Sequence, residues 1–475
     1  MNNRPFINLF KTRGAYYVYD VNRNSILRTE KKVWESLNQD CNDEKTYENN
    51  TIKNLKERGF LSPNKVEGIV HPTNEIIEDY LNSKISMLDF QVTQQCNFRC
   101  EYCSYSGAYE NRVHSNKRMT FELAKKGVDF LIEHSVEQKH VYVGFYGGEP
   151  LIEFELIKKI IEYIKKNAYG KDVRYTLTTN ATLLNEEIID FLYKNDFTMT
   201  ISLDGPKEVH DKSRKFALNS CGTFDKVIEK IKLIKQVHPE FMEKISFNAV
   251  VDPMKDISCV CKFFDNYETV KEAMVIYSEI SENYTKKETS VDEKYYQNIN
   301  YEYFKLLLSK LNKFDEKRTS KLVRKRFLDL ETTYRYLRPT EKLLKYMHHA
   351  GPCIPGAQRL FLNADGDFYP CERVSETSEA VKIGNIENGL DTNKVLNILN
   401  IGKISEENCK NCWAIRFCSL CIAAIDDGNG ASKELKLKRC QVARKTAENK
   451  FMDICALKEF GYKFTKGKNT NIIYR

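Results

Sequence analysis

The chain has 475 residues, 41% of them apolar and 29% charged, with a formal net charge of +8. That length predicts about three domains and is sufficient to bury large cores. No apolar run is long enough to cross a bilayer, and no secretory h-region opens the chain, so a cytoplasmic location is expected. Basic residues are mixed with acidic ones, which argues against a nucleic-acid or membrane partner. The fifteen cysteines of an unexported chain are better read as metal ligands than as a disulfide framework.

In chain order, residues 1 to 75 read as a small separate unit. Ala15–Asp20 is strand-like, Val21–Asn24 has turn chemistry and Ser25–Leu27 is a return strand. Helices are predicted around Lys31–Leu37 and Thr51–Arg58, with Gly59 as the stop and Pro63 soon after. A hairpin with two or three helices is a winged-helix-like pattern. From Ile85 the chain repeats strand, loop and helix. Six strands are predicted: Ile85–Val92, His140–Phe145, Val173–Thr178, Phe197–Ser202, Lys244–Val251 and Ala273–Tyr277. Helices such as Phe154–Lys166, Asn185–Lys194 and Phe224–Gln236 separate them. This alternation predicts an α/β fold of parallel βα units, a partial (β/α)6 TIM-like barrel over residues 85–280. Residues 281–350 read as a helical, charged, tyrosine-rich connection. Residues 351–445 hold seven cysteines among many turn residues, and 446–475 read as a C-terminal extension with a basic tail.

Chemistry in such barrels sits at the C-terminal ends of the strands. After the first strand come Cys96, Cys100 and Cys103, spaced C-x3-C-x2-C, with Tyr102 before the third. Three thiolates from one loop can hold three corners of an iron–sulfur cubane and leave the fourth iron open. A partial zinc site or three free thiols is the plainer reading. The second strand leads into Gly147, Gly148, Glu149 and Pro150, in which glycines permit close backbone approach to a ligand and Glu149 can pair with an ammonium group. The third ends at Thr178 and Asn180. The fourth ends at Ser202 and Asp204, with Arg214 ten residues on, a fork suited to a carboxylate. Asn248 lies inside the fifth strand. Further on, Cys353 is followed by twelve residues, Gly366, four residues and Cys371. Then come Cys409-x2-Cys412-x5-Cys418-x2-Cys421 and Cys440. Paired C-x2-C motifs also mark zinc ribbons. Seven ligands do not divide into two tetrahedral sites, but they suit one complete cluster and one with an open iron. Cys41, Cys221, Cys259, Cys261 and Cys455 show no ligand spacing and read as free buried thiols.

On these motifs the chain resembles radical SAM enzymes, and its last third resembles the seven-cysteine SPASM domain. The resemblance implies three [4Fe–4S] clusters and S-adenosylmethionine. The first cluster would sit on Cys96, Cys100 and Cys103. The Gly-Gly-Glu-Pro turn would meet the methionine amino group, Ser202 the ribose and Arg214 the methionine carboxylate. Tyr102, Thr178, Asn180 and Asn248 would make further cofactor contacts, with Asp204 on the substrate side. Cys409, Cys412, Cys418 and Cys440 would hold an outer auxiliary cluster, and Cys353, Cys371 and Cys421 an inner one. The chain has two residues before the sixth of these cysteines where the family has three. The stretch from Tyr346 to Pro352 lacks the extra cysteine of relatives with a fully ligated inner cluster. That cluster would then have a vacant iron for a substrate thiolate, unless His348 or His349 fills it.

The whole arrangement resembles maturases of ribosomally made peptides, above all sactipeptide and ranthipeptide synthases for six-cysteine or freyrasin-type precursors. The implied partners are a precursor peptide, with a leader for the N-terminal unit and a cysteine-rich core, and an electron donor such as flavodoxin or ferredoxin. The implied activity is a thioether bond from cysteine sulfur to carbon, made through a 5′-deoxyadenosyl radical. Alternatives are a carbon–carbon crosslinking maturase, a formylglycine-forming sulfatase maturase, and a non-enzymatic iron–sulfur or zinc regulator with a winged-helix module.

Overall fold

The structure, a computed structural model, describes residues 4–39, 50–110, 112–286, 291–349 and 353–464. Cys41, the end of the 346–352 stretch and most of the basic tail lie outside the described residues.

β1 (Ile7–Lys11), β2 (Tyr16–Asp20) and β3 (Ser25–Thr29) form an antiparallel meander with β2 in the middle. The predicted hairpin is therefore a three-stranded sheet. Successive side chains of a strand point to opposite faces. Val18 accordingly packs with Val33, Leu37, Ile52, Phe60 and Leu61 of the helices Lys31–Asn38 and Asn50–Glu57 and the turn after them. Tyr17 and Tyr19 face the other way, onto the last helix, Lys433–Glu459. Tyr19 stacks at a tilt 4.8 Å from Phe451, and the Tyr17 hydroxyl donates to Glu459 at 2.7 Å. The turn after β2 ties the unit down, since Asn24 Nδ2 donates to the carbonyls of Tyr336 and Arg338 at 2.9 Å. After this unit comes the two-residue strand β4 (Gly68–Ile69).

β5 (Met87–Thr93), β6 (His140–Gly147), β7 (Asp172–Thr179), β8 (Thr198–Ser202), β9 (Ile245–Val251) and β10 (Met274–Glu279) run parallel, each hydrogen-bonded to the next. All six predicted strands are present. Their alternation sorts the chemistry. Tyr175, Leu177, Met199, Ile201, Phe247 and Ala249 are buried beneath the helices Phe154–Asn167, Glu186–Lys194 and Phe224–Val237. Burial of a large apolar side chain contributes about 1.5–3 kcal/mol. The intervening Thr176, Thr178, Thr200, Ser202, Ser246 and Asn248 are half-buried on the inner face, so the lumen is polar.

The last third extends this sheet, which the sequence pattern did not reveal. β11 (Tyr346–Met347) pairs with β4. β12 (Leu360–Leu362) joins β5 in parallel, and β13 (Asp367–Tyr369), β14 (Gly384–Asn385) and β15 (Gly389–Leu390) follow antiparallel, giving a ten-stranded sheet. The helix Lys433–Glu459 runs through the boundary expected at 445–446. Its buried Phe451, Ile454, Cys455 and Leu457 make it part of the core rather than an extension. Of the leftover thiols, Cys261 and Cys455 are buried as expected, whereas Cys221 and Cys259 are exposed. Among the described residues no helix is long and apolar enough to cross a membrane.

Candidate active site and two thiol sets

The cysteine loop leaves β5 directly, because the glycines after β6 let it fold back. A Cβ on Gly147 would lie 2.0 Å from the Thr93 carbonyl oxygen, and one on Gly148 2.2 Å from that of Gln95. The close approach those glycines permit is therefore to the loop backbone rather than to a ligand. The three thiols lie close together. Burial pushes Cys100 up to about 12, against the pull of Arg214, with Cys103 adding to the rise. Burial also raises Cys96, helped by Glu149 and by the other two thiols. Donors suited to thiolates are already in place. The Phe98 N–H donates to Cys96 Sγ at 3.3 Å and the Tyr105 N–H to Cys103 Sγ at 3.5 Å. These three sulfurs, with backbone donors and the Arg214 cation beside them, fit a cluster held by three thiolates.

Two of the expected contacts are placed differently. Glu149 is 1% exposed and its carboxylate is taken up within the protein. Oε1 accepts from Thr179 Oγ1 at 2.7 Å and the Leu151 N–H at 3.1 Å, and Oε2 from the Asn180 N–H at 2.7 Å. It ties the end of β6 to the end of β7 instead of offering itself to an ammonium. Burial outweighs those bonds and pushes its carboxyl up to about 7. Asp204 is likewise 2% exposed, at the wall of a small cavity with Tyr102 and Val250. It pairs bidentately with Arg214, Nε to Oδ2 at 2.9 Å and Nη2 to Oδ1 at 3.1 Å. Oδ2 also accepts from the Tyr102 hydroxyl, and Oδ1 from the Val250 N–H at 3.0 Å. Arg214 sits over the Tyr102 ring, 5.3 Å from its centroid. The fork expected to hold a ligand carboxylate therefore holds a protein one. The short helix Lys207–Ser213 turns Arg214 back toward Asp204, a local fold that a spacing of ten residues does not reveal.

The remaining motif residues gather at one end of the lumen. Asn180 Nδ2 donates to Asn97 Oδ1 at 2.8 Å, within the cysteine loop. Pro150 opens a buried turn, Pro150–Glu153. Thr178 is in register with Thr200, and Ser202 with Asn248.

The seven C-terminal cysteines fall into two sets. Cys371 is pushed up to about 12 by burial, then by Glu372 and by its neighbours Cys353 and Cys421. Cys418 is pushed up to about 11 by burial and by Cys412, Cys440 and Cys409. Those last four thiols line a single cavity with His349, Lys436 and Arg444. Among the described residues no three His, Cys, Asp or Glu side chains converge tightly enough to hold a single metal ion. Zinc would draw its sulfurs to about 2.3 Å from one centre.

Charged residues that the sequence did not single out link the inner set to the barrel. Arg359 Nη1 donates to both oxygens of Glu372, next to Cys371, at 2.9 and 3.0 Å. Its Nε lies 3.8 Å from Asp89 on β5. Arg112 pairs with Glu376 at 2.5 Å, and Gln91 donates to the same carboxylate at 2.8 Å. Asp89 and Gln91 are alternate, buried residues of β5, and polar side chains inside an apolar-looking strand were the available signal. His348 is already engaged, its Nε2 accepting from the Gly402 N–H at 2.8 Å. His349 lines the outer cavity, so the histidine considered for the inner set stands beside the outer one.

A parallel βα barrel with a three-thiol loop after its first strand and a C-terminal strand-end site defines the class. Residues 90–264 match the Radical SAM superfamily model. The chain is related to the anaerobic sulfatase-maturating enzymes. It is 28% identical over 340 residues to the cysteine-type anaerobic sulfatase-maturating enzyme of Clostridium novyi, which covers 69% of this chain and 85% of the relative. It is 23% identical over 216 residues to the radical SAM cyclopropyl synthase TigE of Paramaledivibacter caminithermalis, covering 43% and 44% of the two chains. The solved structure of native anSMEcpe with bound AdoMet shares the fold, with a TM-score of 0.57 at 22% identity over 78% of this chain and 99% of that one. The same enzyme with AdoMet and the Cp18Cys peptide gives a TM-score of 0.53.

Proposed function

We propose that this protein installs thioether crosslinks, cysteine sulfur to carbon, in a ribosomally made precursor peptide. The observation that carries the reading is the unequal division of the C-terminal thiols, three in the set beside the barrel and four in the set away from it. A cluster on Cys353, Cys371 and Cys421 would keep one iron free for a substrate thiolate, since iron favours soft thiolates. A cluster on Cys409, Cys412, Cys418 and Cys440 would be closed. At Cys96, Cys100 and Cys103 a [4Fe–4S] cluster with S-adenosylmethionine would supply a 5′-deoxyadenosyl radical.

The residues of the chain have the remaining roles. Thr178, Asn180, Ser202 and Asn248 frame the cofactor from the strand ends. Arg214, Asp204 and Tyr102 position the loop from beneath. Glu149 fixes the β6 and β7 ends against each other. Asp89, Arg359 and Glu372 set the charge between barrel and inner thiols.

The N-terminal unit supports a peptide substrate. β3 is an edge strand, and an edge accepts an added strand. Beside it a cavity of about 330 Å³ is lined by Ile26 and Arg28 of β3, Tyr334, Leu337, Ile454 and Lys458 among others. A leader lying there would leave its core free to reach the barrel. An external reductant such as flavodoxin or ferredoxin would supply electrons.

The test is processing of a cysteine-rich precursor by the anaerobically reconstituted enzyme. The product should be lighter by one pair of hydrogens per bond and resist thiol alkylation at the linked cysteines. The likeness to a sulfatase-maturating enzyme over 85% of its length favours a second reading, oxidation of a single residue without a crosslink. If every cysteine of the processed peptide stays alkylatable, thioether formation is wrong. Loss of one cysteine's sulfur, with the other cysteines still alkylatable and no crosslink, would instead favour the second reading.

A further inference from the structure

Lys436 is 1% exposed, in the interior beneath the outer thiol cavity. Its Nζ donates to Ser405 Oγ at 2.8 Å, to the carbonyls of Ile401 and Gly402 at 3.3 Å, and to Cys409 Sγ at 3.3 Å. No carboxylate pairs with it among the described residues, and none lines the cavity. Arg444, the other cation of that lining, acts on the Cys412 thiol by charge and by a hydrogen bond. His349, 3% exposed, also faces the cavity, beside the Cys418 backbone. An ammonium removed from water without a counter-ion is strongly disfavoured. Here two cations and one imidazole surround four thiols and no acid. The cavity is electrostatically incomplete, and what it lacks is an anion that accepts hydrogen bonds.

We infer that Lys436 is the built-in counter-ion of the outer cluster and sets its reduction potential. The inference rests on the reading that Cys409, Cys412, Cys418 and Cys440 hold a [4Fe–4S] cluster. A cubane on four thiolates is an anion, and its sulfides would accept from His349. Reduction adds a further negative charge, so a buried ammonium bonded to a ligand sulfur favours the reduced state. Hydrogen bonds to the sulfurs and local charge are known levers on such potentials. Lys436 is thus a positioning and tuning residue that touches neither substrate nor S-adenosylmethionine. The inner set has a different charge environment, with Glu372 next in chain to Cys371 and Arg359 tied to that carboxylate. The two auxiliary clusters would therefore differ in potential by design of their surroundings.

The test is redox titration of the holoenzyme, followed by electron paramagnetic resonance. The outer signal is identified as the one lost in Cys412→Ser and Cys418→Ser. Lys436→Met should lower its midpoint so that reduction becomes about tenfold less favourable, 59 mV for one electron. Lys436→Arg should restore most of the shift. An unchanged midpoint in Lys436→Met, with iron and sulfide still near three cubanes per chain, overturns the role of Lys436 and leaves the three-cluster reading intact. Wild-type protein without iron and sulfide on these four cysteines overturns that reading itself. Should Lys436→Met not assemble, wild-type protein labelled with nitrogen-15 lysine replaces it. The reduced outer cluster should show weak hyperfine coupling to one lysine nitrogen, and its absence overturns the inference.

Discussion

Two buried cations stand beside two groups of cysteines, and they are treated in opposite ways. Arg214, next to Cys100, is matched by Asp204 through two hydrogen bonds, and Asp204 is further held by Tyr102 and Val250. Lys436, next to Cys409, has carbonyls, a hydroxyl and a thiol but no carboxylate. The loop site is balanced within the protein, so its shape stands independently of what binds there. The outer site is balanced only when an anion fills it. On the proposed reading, the first keeps a fixed geometry for an exchangeable cofactor and the second would hold a permanent charged guest.

The largest expected effect separates the loop from both C-terminal sets. Replacing Cys96, Cys100 and Cys103 by alanine should abolish cleavage of S-adenosylmethionine to 5′-deoxyadenosine under strong reductant. Replacing Cys353, Cys371 and Cys421 should leave uncoupled cleavage while removing crosslinked product and the iron of one cubane. Unchanged 5′-deoxyadenosine formation in the loop variant would remove the basis of the functional reading.

Next comes the balanced pair. Asp204→Asn leaves the Arg214 guanidinium buried without its counter-charge, and breaking a buried pair costs about 3–5 kcal/mol. Denaturant unfolding should show that loss. Arg214→Met with Asp204→Asn together should recover part of it, because the pair is then removed as a unit. A loss below about 1 kcal/mol, the range of exposed pairs, would show that solvent reaches Asp204.

The unbalanced cation predicts the reverse sign. In protein stripped of iron, Lys436→Met removes an uncompensated buried charge and should be neutral or stabilising by about 1–4 kcal/mol. In holoprotein the same substitution should destabilise. Equal effects in the two forms would show that the cavity needs no anion.

These contrasts also show what the sequence could reveal. The barrel was legible because alternation of period two and βα order are local properties. Tyr175, Leu177, Met199 and Ile201 announce a buried face several residues at a time. The cysteine spacings were legible because ligands on one loop keep their distances in sequence. The roles of Glu149 and Asp204 were not. A carboxylate after a strand reads as a ligand contact unless its partners are known, and those partners come from other strands, Thr179, Asn180 and Arg214. Lys436 gave no signal, being one lysine among many on a helix whose other face is polar. β12 was missed because a three-residue strand, Leu360–Leu362, is too short to show a period.

The smallest effect concerns the charge between barrel and inner thiols. Asp89 is pushed up to about 7, chiefly by burial and then by Glu372, with Arg359 pulling it down. Its ordinary value is 3.8, so between about pH 4 and pH 7 the folded protein holds a proton there that the unfolded chain has lost. Stability then falls as pH rises through that window, since the native state binds more protons. Asp89→Asn should flatten this fall. Glu149, also pushed up to about 7 by burial, titrates over the same range and is untouched by the change. About half of the slope from these two groups should therefore remain. Thermal midpoints measured across the window in wild type and Asp89→Asn decide the matter. Parallel curves would mean that Asp89 is ionised in the fold, drawn down by Arg359 more than burial raises it.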